Sequence, residues 1–116
     1  MLHTDILFLN IQCLRNKINL VEAASTDQNF NVLCMSEHLL TSKEAECVKI
    51  NNFRAATYFA REVHIHGGVI QFTDVSVDYK NLPDIKNLSS EMHCELTGIY
   101  IRNLDLILMS LYRSPD

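Results

Sequence analysis

The segment at 32–35, Val-Leu-Cys-Met, runs apolar without alternation, and two residues later the chain reaches a carboxylate, Glu37. An unbroken apolar run of this length suits a strand buried on both faces better than one with a wet side. A charge at its carboxyl end needs a reason. Ligands of open α/β sheets collect beyond the carboxyl ends of the strands, so Glu37 is placed to meet a metal ion or a polar substrate. Position alone favours the plainer alternative, a Glu entering solvent where strand becomes loop.

A second short apolar run, Ile6 to Ile11, is interrupted near its carboxyl end by Asn10, whose amide, if buried, needs a partner. Between the two runs the period changes. Leu14, Ile18, Val21 and Ala24 follow helical spacing, with Arg15, Asn16, Asn19 and Glu22 on the other side, which predicts an amphipathic helix over 14–24 and a polar connection over 25–31. Residues 5–37 therefore read as strand, helix, strand. A right-handed crossover makes the strands parallel, and if they are neighbours Asn10 and Glu37 share one sheet edge.

Further along, Thr41-Ser42-Lys43-Glu44 has the form of a capping box, opening a short helix to about Ile50. Phe53 to Ala60 has strand character. Gly67 and Gly68 mark a hairpin turn or a close-packed strand start before Val69 to Thr73. Val75, Val77 and Tyr79 alternate with polar residues, which extends that strand, with a bulge, to residue 80. Residues 80–90, containing Pro83, read as loop, and 95–102 as a strand. Asn103 to Asp105 form its turn, and Leu106 to Tyr112 a last buried strand. No repeat or interdomain linker appears, so residues 1–116 form one domain.

Composition narrows the function classes. With 47% hydrophobic and 21% charged residues the chain is an ordinary globular one. A net charge of −4 opposes autonomous nucleic-acid binding, which needs a basic footprint, so any such contact is local or metal-mediated. The four cysteines, Cys13, Cys34, Cys47 and Cys94, form no CxxC pair; Cys13 and Cys34 lie in apolar runs and read as reduced core residues. The first residues carry no basic signal region, and Ile6 to Leu9 is too short to span a membrane, so a nuclear or cytoplasmic protein that is not secreted is expected. His64 and His66 would share a face on a strand, but zinc wants further ligands at recognisable spacing and none follows. His38 and His93 read as surface residues. Arg15, Lys17 and Arg113 are candidates for a phosphate path, although a solvated helix face accounts for Arg15 and Lys17 as well.

Four words in order carry a resemblance: Leu-Asn-Ile-Gln-Cys-Leu-Arg-Asn-Lys at 9–17, Leu-Cys-Met-Ser-Glu-His-Leu at 33–39, His-Gly-Gly-Val at 66–69 and Leu-Tyr-Arg-Ser-Pro at 111–115. Their order and intervals resemble the endonuclease/exonuclease/phosphatase family, most narrowly the endonuclease domain at the amino end of non-LTR retrotransposon polyproteins. The resemblance runs over residues 5–116 and implies an α/β (α+β) fold, here about half of a two-layer β-sandwich flanked by helices. Its metal site lies at a rim where strand ends from both sheets converge. By this likeness Glu37 is the metal-binding carboxylate, Asn10 the amide that contacts phosphate and orients it, and Tyr112 the phenol that positions the scissile phosphate. Arg113 and Pro115 continue the Tyr112 motif, with Arg113 a weaker phosphate contact, and Glu95 matches an acid of supporting role. The implied cofactor is Mg²⁺ or Mn²⁺ and the implied partner DNA. Mg²⁺ takes hard oxygen ligands and keeps several waters, so one carboxylate with substrate oxygens is an ordinary site. It polarises the phosphoryl group, while an amide and a phenol add fixed dipoles.

The family's later words, a Gly-Asp-Phe-Asn that activates water and binds phosphate and a terminal Ser-Asp-His, do not follow Tyr112, and Asp116 belongs to the loop after it. Catalytic residues that act as a unit fail together, at a cost on the order of 10⁴ to 10⁶ in rate. The expectation is therefore a truncated, metal-dependent DNA endonuclease-like domain that is inactive alone. Two alternatives are a non-catalytic interaction module and a partial gene product without function. Half a sandwich exposes an apolar face and unpaired strand edges, which favour self-association or another partner.

Overall fold

The computed structural model describes residues 4–64 and 66–114, so Pro115 and Asp116 lie outside the described residues. Strand β1 (Ile6–Asn10) is followed by a 3-10 turn at Leu14–Asn16, helix α1 (Ile18–Gln28) and strand β2 (Val32–Ser36). β1 and β2 pair in parallel, with Asn10 opposite Ser36, as the strand-helix-strand reading requires. β2 is buried along its apolar length, and its side chains divide by the period of two. Leu33 and Met35 join Val21, Ile70 and Phe72 under the helices, whereas Val32 and Cys34 face the other sheet.

The helix differs from its expected bounds. Gln12 and Cys13 adopt positive φ, and Lys17 has a non-helical φ of −126°, so α1 opens only at Ile18. Lys17 Nζ instead satisfies the carbonyls of Ile11 and Gln12, at 2.8 and 2.6 Å, which removes it from any phosphate path. α1 continues past Ala24, which is exposed, to a left-handed cap at Asn29, a residue type that tolerates that conformation. Helix α2 (Ser42–Cys47) begins with the expected capping box of Thr41 and Glu44, though it ends short of Ile50. Arg15 grips the same Glu44, so it too is engaged away from a phosphate path. The bond from Arg15 is the main reason the Glu44 carboxyl is held at about 2.

Strands β3 (Arg54–Phe59) and β4 (Val69–Thr73) complete a four-stranded sheet ordered β1-β2-β4-β3, with β4 antiparallel to both neighbours. β4 stops at Thr73. Asp74 accepts from the backbone and hydroxyl of Ser76 and makes a turn, Val75 is 90% exposed, and the chain crosses to the other sheet as β5 (Tyr79–Asn81). The bulged strand running to residue 80 is thus two strands in two sheets. Pro83 opens a short helix, α3 (Pro83–Lys86), inside the expected loop, since its fixed φ suits the first helical turn.

β5, β6 (Glu95–Ile101) and β7 (Leu106–Tyr112) form a three-stranded antiparallel sheet in the order β5-β6-β7. It packs on the first sheet through Val32, Cys34, Ala56, Val77, Ile99, Ile101 and Leu108. Polar pairs run through this layer: Thr57 with Thr97, and Gln71 Nε2 donating to Ser110 Oγ at 2.8 Å. β7 is not buried on both faces. It is the end strand of its sheet, and while Leu108 and Ser110 point inward, Ile107, Met109 and Leu111 are exposed on the outer face. Of the cysteines, Cys34 is core, and burial pushes its thiol up to about 11; Cys13 is half-buried in the left-handed turn after β1 rather than in a strand. No described helix is long and apolar enough to cross a membrane.

Candidate active site

Glu37 follows β2 directly, in a left-handed backbone conformation with φ +54°. Its N–H donates to the carbonyl of Gly68 at 2.8 Å, and its carbonyl accepts from Cys13 at 3.0 Å. The backbone is therefore clamped between the turn after β1 and the entry to β4. This takes the side chain out of the strand's alternation and directs it to the rim. Beneath it, His38 is wholly buried, contrary to its reading as a surface residue. Nδ1 accepts from the Leu40 N–H at 2.8 Å, which assigns the proton to Nε2, the atom 2.9 Å from the Phe59 carbonyl. Burial holds this imidazole below its ordinary pKa, that is, neutral. Gly68 makes room for it: with φ +93°, a Cβ there would overlap the His38 ring and lie 2.9 Å from the Phe59 oxygen. The glycine pair is a close-packed strand start, not a hairpin turn.

Three strand ends from both sheets meet at Glu37. Asn10, at the end of β1, donates from Nδ2 to Oε1 at 2.9 Å. Tyr112, at the end of β7, donates its hydroxyl to the same oxygen at 2.7 Å. Asn10 is itself exposed, so its amide answers to Glu37 rather than to a burial requirement. The bond from Asn10, then that from Tyr112 and the nearby Arg61 charge, hold the Glu37 carboxyl below its ordinary pKa, while its anion raises that of Tyr112. Both donors use Oε1; among the described residues no hydrogen bond reaches Oε2.

Beside the carboxylate lies an open cavity of about 570 Å³, lined by Glu37, Arg61, His64, Glu91, Tyr112 and Ser114 among others. Glu95 stands opposite Tyr112 in the β6–β7 register but outside the cavity lining, and among the described residues its carboxylate makes no hydrogen bond to Glu37 or to the Tyr112 hydroxyl. It is fully buried and accepts from Gly68 N at 2.7 Å, Met92 N at 2.9 Å and Arg61 Nε at 2.5 Å. Arg61 also donates from Nη2 to Ser114 Oγ at 3.1 Å. Arg61 is the residue that sequence reasoning missed: nothing in the Ala60-Arg61-Glu62 context separates it from a surface charge. Arg113, by contrast, is exposed and absent from the cavity lining, which passes from Tyr112 to Ser114.

His64 and His66 are not on a strand. His64 Nδ1 pairs with Glu91 at 2.7 Å. That bond, helped by the N–H groups of Val63, Glu62 and His64, holds the Glu91 carboxyl at about 2. Among the described residues no three His, Cys, Asp or Glu side chains converge to hold a metal. That suits a soft or closed metal site poorly. A hard divalent cation that keeps most of its waters asks less, and an ionised carboxylate with one unengaged oxygen meets that demand.

Neither protein-family models nor curated proteins match the sequence. Among solved structures, the catalytic domain of Xenopus laevis APE2 matches over 91% of this chain and 42% of that one, with a TM-score of 0.55 and 15% identity. The chain thus spans well under half the length of that structure. At this identity the likeness concerns the fold: these two sheets and few helices have the mixed α/β architecture of the endonuclease/exonuclease/phosphatase type.

Proposed function

We propose that these residues form the metal-carboxylate corner of a divalent-metal-dependent phosphodiesterase site, of retrotransposon endonuclease type. The observation that carries the reading is Glu37 Oε1 accepting from both Asn10 and Tyr112 at the mouth of a cavity. Two donors on one oxygen fix the carboxylate plane and keep it ionised, leaving Oε2 for a cation. Glu37 would hold Mg²⁺ or Mn²⁺, with Asn10 beside it, and the cation would polarise the phosphoryl oxygen and steady the leaving group. Tyr112 keeps its phenol proton, which the adjacent anion binds more tightly, so it acts as a donor and not as a base. DNA is the substrate this reading implies. For a chain of net charge −4, its backbone is engaged locally at the metal rather than by a basic face. A nuclear or cytoplasmic setting accords with that substrate.

These residues alone do not turn over DNA in this reading, because Glu37, Asn10 and Tyr112 supply a cation ligand and two fixed donors but no base for the attacking water. Plasmid nicking with Mg²⁺ by the purified, folded chain is the test, beside Glu37→Ala and EDTA controls. No nicking is expected; nicking that Glu37→Ala and EDTA both abolish would overturn the claim of inactivity.

A second reading, an interaction module, is favoured by one specific feature. Ile107, Met109 and Leu111 on β7 and Phe8 and Leu9 on β1 leave apolar surface exposed along two end strands. Self-association through that surface predicts a concentration-dependent mass in solution that Leu111→Lys lowers.

A further inference from the structure

We infer that Arg61 is the anion receptor of this cavity, the group that takes a phosphate oxygen across from Glu37; the phosphate class rests on the proposed function. The guanidinium is held on three sides. Glu95 takes Nε and Ser114 takes one Nη2 proton. The plane lies against Gly67, where a Cβ would overlap Cζ, Nε and Nη2. Gly67 has φ +124°, a conformation that excludes most side chains, so the chain keeps this position bare where the guanidinium rests. Glu95 in turn has its acceptors engaged by Gly68, Met92 and Arg61, which makes it a fixed support rather than a ligand.

A guanidinium carries five N–H donors. With Nε and one Nη2 proton engaged, the rest are unclaimed: among the described residues no hydrogen bond reaches Nη1. Yet the Arg61 side chain is only 8% exposed and borders the cavity that also holds Glu37 and Tyr112. A buried, immobilised fork with spare donors is set to bind an anion, and phosphate matches its planar geometry. Glu37 and Glu95 place two carboxylates against this one cation, so an anion enters poorly while Glu37 is bare and charged. Neutralising Glu37, by a bound cation or by substitution, opens the receptor.

This gives a test that needs neither metal nor activity. Inorganic phosphate is titrated at low ionic strength into the Glu37→Gln chain and the Arg61 Nε–H resonance is followed by NMR. The resonance is expected to shift saturably, and phosphate to bind roughly tenfold or more weakly when Arg61→Lys is added, the scale of one charge-assisted hydrogen bond. If Arg61→Lys disturbs the fold, Arg61→Gln with Glu95→Gln removes both charges together. A static Arg61 resonance, or equal affinity with and without the guanidinium, would overturn the inference. Metal binding by the Glu37 chain fails or succeeds separately, so loss of the proposed function is distinguishable from loss of this receptor.

Discussion

Replacing Arg61 by alanine removes one partner of an ion pair whose side chains are 8% and 1% exposed. Such a pair differs in kind from an exposed one such as Arg102 with Asp78, where water takes over when either partner goes. Without Arg61, Glu95 stays buried, still accepting from Gly68 N and Met92 N but with its charge uncompensated. Stranding a buried charge in this way costs about 3–5 kcal/mol, a large share of the ~5–15 kcal/mol that holds a domain of this size. With a urea m value of about 1–2 kcal/mol per molar, the midpoint falls by roughly 2 M or more. Glu95→Gln added to Arg61→Ala removes the stranded charge while keeping an acceptor oxygen, so the double variant recovers part of the loss. The assay is urea denaturation of both singles and the double as a thermodynamic cycle. A loss below about 1 kcal/mol for Arg61→Ala, or no recovery in the double, refutes the argument that the pair is a buried support of the site.

Three further outcomes follow from the geometry around Glu37. Gly68→Ala forces a Cβ into the His38 ring at φ +93° and is expected to destabilise by about 2–4 kcal/mol, from overpacking and left-handed strain together; urea denaturation reads it, and a near-neutral result contradicts the packing. His38, neutral and held below its ordinary pKa of about 6.5 by burial, contributes stability that is present above that value and lost as pH falls below it. Midpoints measured from pH 7.5 to 5 therefore fall less steeply in His38→Gln than in the parent chain, and equal slopes contradict the assignment. Tyr112→Phe removes one donor to Oε1, so the Glu37 carboxyl titrates higher, toward its ordinary value, in a carboxyl-detected NMR titration; an unchanged titration places the hydroxyl elsewhere.

What the sequence made legible was what local pattern and neighbouring register encode. The apolar run before Glu37 and the crossover from Ile6 fixed two parallel strands, and parallel register alone brings Asn10 beside Glu37. The capping box at Thr41 is a local motif and appears as read. Tyr112 was legible only through the resemblance, since its contact with Glu37 spans 75 positions and depends on how two sheets stack. Three misses share one cause, tertiary context overriding pattern. His38 is polar but finds a backbone partner for each ring nitrogen in the core. The apolar run at Leu106–Tyr112 reads as a buried strand, yet its outer face, with Ile107, Met109 and Leu111, is exposed among the described residues. Val75 and Val77 alternate like a strand, but Asp74 turns the chain between them and β4, so that only Val77 reaches the core. Arg61 left no trace in sequence because its partners, Glu95 and Ser114, lie 34 and 53 positions away.

The central claim is that the Glu37 carboxylate, held by Asn10 and Tyr112, binds a divalent cation. Mn²⁺ titrated into the isotopically labelled chain, with backbone amide broadening read residue by residue, tests it most directly. The account predicts broadening centred on Asn10, Glu37, Gly68 and Tyr112, and its loss in a folded Glu37→Gln variant. Broadening centred instead on Glu91 and His64, or unchanged by Glu37→Gln, would contradict it.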